Sequence, residues 1–219
     1  MTITAISDTH TQHEKLLLLG GDLLIFSGDF MGSGYNKLEV LDFLKWLNDQ
    51  THYNDIVFIA GNHDRWVENY PDEFKDIIPQ YNNITYLQDN FIIIDGVKIY
   101  GSPWQPWFYN WAFNLQRGPE IKEKWDLIPE DTDILITHGP PYGILDKCPN
   151  SVGCEDLLNR IEEIKPKINI FGHIHEGYGY ISKNDTHFIN ASVLDETYRQ
   201  INNPLTFVWN KETNNIEFI

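Results

Sequence analysis

Five of the chain's eight histidines stand in short polar clusters with Asp and Asn: Asp8-Thr-His10, Gly28-Asp29, Gly61-Asn62-His63-Asp64, His138, and Gly172-His173-Ile-His175. Carboxylate, imidazole and amide oxygen together are ligands suited to manganese, iron or zinc, and the lack of cysteine in the set argues against a thiolate structural zinc site. In an extended segment residues two apart point to one side, so Asp8 with His10, and His173 with His175, are expected to converge on one centre. Glycine precedes the cluster in three cases (Gly28, Gly61, Gly172), which permits the sharp turns and close backbone approaches of crowded metal loops. Taken singly, an Asp-x-His is an ordinary surface turn, and Gly61 to Asp64 a polar turn after a strand. The weight lies in the ordered set, which points to a dinuclear site. His13, His52 and His187 lack such company and are expected to be solvated.

Each cluster ends a short apolar run: Ile3 to Ser7, Leu23 to Ser27, Ile56 to Ala60, Ile134 to Thr137 and Ile168 to Phe171. These read as strands. Between the second and third, Leu38, Leu41, Phe43, Leu44, Trp46 and Leu47 recur at helical spacing, as do the apolar residues from Cys154 to Ile164 before Pro166. Helices alternating with nearly all-apolar strands imply a buried, largely parallel sheet, whose functional residues collect at the carboxyl ends of the strands. Phe91 to Tyr100 turns at Asp95-Gly96, and Tyr178 to Asn190 and Pro204 to Ile219 turn at polar clusters, so these are expected as antiparallel additions. The expected architecture is an α/β (α+β) sandwich of two packed mixed sheets with helices outside.

With 219 residues, 42% of them hydrophobic, the chain is long enough to bury its core as one domain, expected over residues 1–219. A net charge of -16 disfavours bulk nucleic-acid binding, because the surface repels a phosphate backbone. Bound divalent ions would still attract a small anionic substrate locally. Two cysteines are too few for a disulfide framework, the start of the chain has no leader-like pattern, and no apolar run approaches a bilayer-spanning length. A cytoplasmic protein without membrane attachment is expected.

The order of the motifs resembles that of the calcineurin-like metallophosphoesterase superfamily. Gly101-Ser-Pro-Trp-Gln-Pro-Trp107, Trp111-Ala-Phe113, Thr132 to Pro141, Val152-Gly-Cys154, and Phe171 to Gly179 followed by Asn190-Ala-Ser192 resemble its metallophosphoesterase-domain-containing family over nearly the whole chain. The resemblance implies two divalent ions, manganese first, with iron or zinc as alternatives. It implies one ion held by Asp8, His10, Asp29 and His175, and a second by Asp29, Asn62, His138 and His173, with Asp29 bridging. Many superfamily members carry a further Asp or Asn where this chain has Gly32, a departure expected to change the groups behind the ligands and not the ligands themselves.

The resemblance further implies a phosphodiesterase for small substrates, cyclic nucleotides included, working by attack of a metal-bridging hydroxide. A phosphomonoesterase or a noncatalytic, metal-stabilised interaction module are the alternatives. His63, not needed as a ligand, is the candidate for polarising the phosphate or protonating the leaving oxygen, with Asp64 able to orient its ring. The aromatic stretch from Trp104 to Phe113 is expected mainly to pack against the core, although such rings could stack a base. Arg65, Arg117 and Arg199 are candidate phosphate contacts, but nothing in their spacing separates them from ordinary surface arginines.

Overall fold

Apolar runs cut short by glycine and aspartate can bury both faces only as central strands, and that is how they fold. The computed structural model describes residues 1–148 and 150–219. β1 (Thr2–Ile6), β2 (Gly21–Phe26), β3 (Tyr53–Phe58) and β4 (Ile84–Tyr86) lie parallel to one another. β5 (Asn90–Ile94) and β6 (Val97–Ser102) form a hairpin at Asp95-Gly96, both of which take positive φ, as a tight two-residue turn demands. Two short pairs, β7 (Gln105–Pro106) with β8 (Asn114–Leu115) and β10 (Lys147–Cys148) with β11 (Asn150–Ser151), flank β9 (Ile134–Thr137) in sequence. β12 (Ile168–Phe171), the β13 (Gly179–Lys183)–β14 (Thr186–Asn190) hairpin, and the β15 (Leu205–Asn210)–β16 (Asn215–Phe218) hairpin complete the strands.

The first sheet runs β16-β15-β1-β2-β3-β4 and the second β13-β14-β12-β9-β6-β5. Each has a parallel centre, with antiparallel additions at one edge of the first sheet and both edges of the second, as expected from the hairpin signals. The alternation of side chains assigns the layers. Ile3, Ala5, Leu23, Ile25, Val57 and Ile59 from the first sheet meet Ile99, Ile134, Ile136, Ile168 and Ile170 from the second in a core between the sheets. Each fully buried Ile or Leu there is worth about 1.5–3 kcal/mol.

Helices cover the outer faces. α1 (Lys37–Asn48), α2 (Arg65–Asn69) and α3 (Pro71–Ile77) pack on the first sheet, and α4 (Pro119–Trp125) and α5 (Glu155–Ile164) on the second. The Asn36 side chain caps α1 by accepting from the Leu38 amide. Phe43 of α1 stacks on Phe30 with centroids 4.2 Å apart and planes within 4°. Since Phe30 directly follows Asp29, this contact ties a candidate ligand loop to the core. Among the described residues no helix is long and apolar enough to cross a membrane.

Two histidines expected to be solvated are buried. His187 lies between the Tyr180 hydroxyl and the Asn214 carbonyl, within hydrogen-bonding distance of both. His13 is 1% exposed, its Nε2 3.2 Å from Asp42 Oδ2, and its ring packs between Phe43 and Trp46. Its Nδ1 has no partner among the described residues, so protonation would place an unsatisfied donor in an apolar pocket. Burial accordingly pulls the His13 pKa below its usual value of 6.5, with Asp42 opposing. A histidine held neutral in the folded state binds fewer protons than the unfolded chain. Its contribution to stability is therefore complete above pH 6.5 and is lost as pH falls below it. His13→Gln is expected to flatten the stability loss between about pH 7 and 5, where one such proton contributes up to about 1.4 kcal/mol per pH unit. Urea denaturation of both forms across that range checks this, and parallel curves would refute it.

Candidate metal centre

The five ligand loops leave the carboxyl ends of β1, β2 and β3 in one sheet and of β9 and β12 in the other, and therefore meet where the two sheets come together. A lone bridge between Ser7 and Ser192 joins the sheets at that rim. Convergence does not come from strand alternation, which was the expectation. Asp8, His10, Asp29 and His173 all take left-handed backbone, with φ of 56°, 40°, 61° and 67°. Non-glycine residues in that region cost about 1–3 kcal/mol each and persist only where the surroundings over-determine them.

The histidines are oriented from behind. His10 Nδ1 lies 3.1 Å from the Met31 carbonyl, His138 Nδ1 2.9 Å from that of Ser27, and His175 Nδ1 2.9 Å from that of Asp195. A carbonyl only accepts, so each Nδ1 carries a proton and Nε2 is the nitrogen each ring turns inward. Asp8 takes hydrogen bonds from the His173 amide and the Ser192 hydroxyl, the latter at 2.8 Å. Asp29 takes one from the His63 amide at 2.7 Å. Asn62 Oδ1 is 2.8 Å from His138 Nε2.

Donor atoms of Asp8, His10 and His175 lie within 4.8 Å of one another, as do those of Asp29, His138 and His173, and those of His10, Asp29 and His63. All seven residues expected as ligands are thus drawn into one cluster. His63, expected to stand outside the ligand set, also has a nitrogen within reach. The carboxylates of Asp8 and Asp29 are fully or nearly fully buried, and their charged neighbours at 3.4–3.7 Å are histidines, not Lys or Arg. Buried carboxylates paired, among the described residues, with imidazoles and not with Lys or Arg are a donor set suited to divalent ions once the imidazole protons leave.

Residues 1–177 match the family model of the calcineurin-like phosphoesterases. The chain belongs to that family. Human metallophosphoesterase domain-containing protein 1 is 41% identical over 224 residues, spanning 91% of this chain and 68% of the relative, and its mouse counterpart matches equally. In fold alone, TT1561 of Thermus thermophilus superposes with a TM-score of 0.64 over 99% of this chain and 97% of its own, at 13% identity. The chain is a metal-dependent phosphoesterase, of a family that binds divalent metals.

The electrostatics of this phosphoesterase follow from the shared burial. Burial works against charge on His138 and His175, but Asp29 beside the one and Asp8 beside the other outweigh it and lift both pKa values to about 9. Burial dominates at His10 and His173, which fall to about 4 and about 3. Burial also works to raise Asp8 and Asp29, yet His175 and His138 hold the two carboxyls well below the usual range. Protons on His138 and His175 thus balance the carboxylates and must leave before those nitrogens can coordinate, so metal loading weakens as pH falls.

Asp64 does not orient the His63 ring, contrary to expectation. Its oxygens accept from the amides of Asp29 (2.9 Å), Met31 (2.9 Å) and Gly61 (2.7 Å), stitching two ligand loops together. Burial, and then the charge of Asp29, push its pKa well above the carboxylate range. The His63 ring is held instead by the Gly32 carbonyl, 2.8 Å from Nδ1. Asp64→Asn replaces one accepting oxygen by an amide that cannot accept. Urea titration of the metal-free variant should show a loss of about 1–2 kcal/mol, and an unchanged midpoint would deny Asp64 this role.

The aromatic stretch divides. Trp104 and Phe113 pack on the core, in line with expectation, while Trp107, Phe108 and Tyr109 are at least half exposed. Trp107 and Phe108 line a cleft of about 430 Å3 that opens over His10, Asp29, Asn62, His63, His173 and His175. Arg117, Glu176, Glu196 and Tyr198 also line it; Glu176 falls within the Phe171 to Gly179 motif, whereas the spacing of the other three carried no signal. Ser192 had one, because it lies in the Asn190-Ala-Ser192 motif.

Proposed function

We propose that this phosphoesterase is a phosphodiesterase for small diesters, cyclic nucleotides among them, with manganese as the preferred ion and the cytoplasm as its compartment. The carrying observation is the charge and lining of the cleft. Its volume suits a ligand of nucleotide size. Trp107, Phe108 and Tyr198 offer apolar faces, while Arg117 is the lone Lys or Arg among the described lining residues. Arg117 already donates to the carbonyls of Val152 and Gly153, and Glu176 and Glu196 stand nearby. A diester carries a single negative charge, which such a wall tolerates better than the double charge of a monoester. The acidic chain and the limited volume of the cleft also favour a small substrate over a long nucleic acid.

Two divalent ions held by Asp8, His10, Asp29, Asn62, His138, His173 and His175 would supply charge stabilisation at the phosphoryl oxygens and an acidified water. The chain's own contribution is orientation. The Ser27, Met31 and Asp195 carbonyls keep Nε2 of each imidazole aimed inward, and the rings of Trp107 and Phe108 line the cleft above them. His63 donates Nδ1–H to Gly32, which leaves Nε2 as the atom that carries a transferable proton to the leaving oxygen.

The test is hydrolysis of bis-p-nitrophenyl phosphate and of 2′,3′-cyclic AMP by metal-stripped protein refilled with manganese, beside p-nitrophenyl phosphate. Turnover of both diesters above the monoester is the expected result. A preference for the monoester would make the chain a phosphomonoesterase. Stoichiometric metal with no turnover of any ester would make it a metal-stabilised binding module.

A further inference from the structure

His63 is held on three sides. Its Nδ1 is fixed by the Gly32 carbonyl, the His10 ring meets it edge-on with centroids 4.6 Å apart, and the Trp111 indole stacks on it at 4.0 Å and 24°. The stacking residue is itself clamped by the turn that carries His63. The Ala112 amide donates to the Asn62 carbonyl at 3.0 Å, and the Phe113 amide donates at 2.7 Å to Glu68 of α2, the helix that starts directly after Asp64. Asn114 holds the Trp111 carbonyl, and Ala112 and Phe113 are buried in the core under the first sheet. Trp111 is thus anchored through its own carbonyl and the two residues that follow it, while its ring stays half-buried over His63. Among the described residues no carboxylate is hydrogen-bonded to the His63 ring: Asp64 is consumed by backbone amides and position 32 is glycine.

From this arrangement we infer that Trp111 is a positioning residue for His63: its indole plane sets the tilt of the imidazole so that Nε2 faces the leaving oxygen. The inference rests on the phosphodiesterase reading above. A planar stack constrains rotation about the ring's long axis, which a single hydrogen bond at Nδ1 leaves free, and aromatic faces supply that constraint through their shape and quadrupole.

The experiment compares two diesters. In bis-p-nitrophenyl phosphate the leaving p-nitrophenolate needs no proton, whereas the alkoxide leaving from 2′,3′-cyclic AMP does. His63→Ala should lower kcat on the cyclic ester by about 100-fold or more and on the nitrophenyl ester by less than about tenfold. Trp111→Leu, which stays apolar and loses the plane, should copy that selectivity with a loss of roughly 10–100-fold on the cyclic ester. The double variant should be no worse than His63→Ala alone, because both act through one group. Trp111→Phe should restore most of the rate. In NMR spectra of wild type, the ring protons of His63 should show an aromatic ring-current shift that Trp111→Leu abolishes.

Equal losses on both esters, multiplied losses in the double variant, an effect confined to KM, or loss of bound metal in Trp111→Leu would each overturn the inference. Any of these leaves the phosphodiesterase reading standing, because wild type still turns over the diesters. If wild type turns over neither diester, the phosphodiesterase reading and the inferred role both fail, and the NMR signature then shows whether the stack itself exists.

Discussion

Asp29→Asn is expected to lower metal-dependent turnover on the order of a thousandfold, in the range lost when one key group that stabilises transition-state charge is removed. Asp29 stands in two of the three donor groups, with Oδ2 3.7 Å from His10 Nε2 and Oδ1 3.4 Å from His138 Nε2. Asn keeps the shape and one accepting oxygen, so the hydrogen bond from the His63 amide survives and the loop has no cause to move. What disappears is the negative charge and the second anionic donor through which one carboxylate would serve two ions. The same loss frees His138 from the neighbour that lifts its pKa. Metal content measured by mass spectrometry should drop below two ions per chain, alongside the loss of bis-p-nitrophenyl phosphate hydrolysis. A variant with its full metal complement and activity within about tenfold of wild type would show that Asp29 is not the shared ligand.

Gly172→Ala should weaken the fold and the site together. Gly172 joins the end of β12 to His173, and its amide donates to the His138 carbonyl at 2.9 Å. A methyl added there would overlap Asp8 Oδ2 and Ser7 Oγ, both on residues with no exposed surface. Neither can yield cheaply, since Asp8 is gripped by the His173 amide and Ser192. One of the two loops must shift, which parts Asp8 from His175 and His173. Overpacking of this kind costs about 2–3 kcal/mol, and a displacement near 1 Å at the reacting centre costs about 100-fold in rate. Gly139 is the comparison: an added methyl would meet nothing closer than 3.6 Å, so Gly139→Ala should stay within about 0.5 kcal/mol of wild type. Denaturation in urea, with metal content measured on the same samples, checks both. Equal midpoints for the two variants would rule out the steric clash at Gly172.

These effects share a cause. The ligands sit in loops whose conformations are individually unfavourable and are sustained by one another: left-handed Asp8 by the amide of left-handed His173, and Asp29 by the amide of His63. Loss of a glycine or a carboxylate in such a network is felt by several ligands at once. The same reasoning places Asp64 among the supports of the site, where it holds the ligand loops by their backbone amides.

Although β4 and the two short strand pairs were not legible in the sequence, the five central strands that end in the clusters, the antiparallel additions and the chemical identity of the donors were. Each is a local property: a run of Ile, Val and Leu ended by Gly-Asp or Gly-Asn-His announces a buried strand and the loop at its carboxyl end. Only the tertiary structure decided who holds whom. His63 is braced by Gly32 from 31 residues away and by Trp111, in a different loop, and not by its neighbour Asp64. His13, solvated by its sequence context, lies against Phe43 and Trp46 because the short turn that carries it folds onto helix α1. Trp107 and Phe108 face the cleft while Trp104 and Phe113 enter the core, although all four belong to one aromatic run. Hydrophobicity and spacing report how a segment meets its own neighbours in the chain. The orientation of a buried ring is set by groups brought from distant segments, and it is settled only when the sheets close on one another.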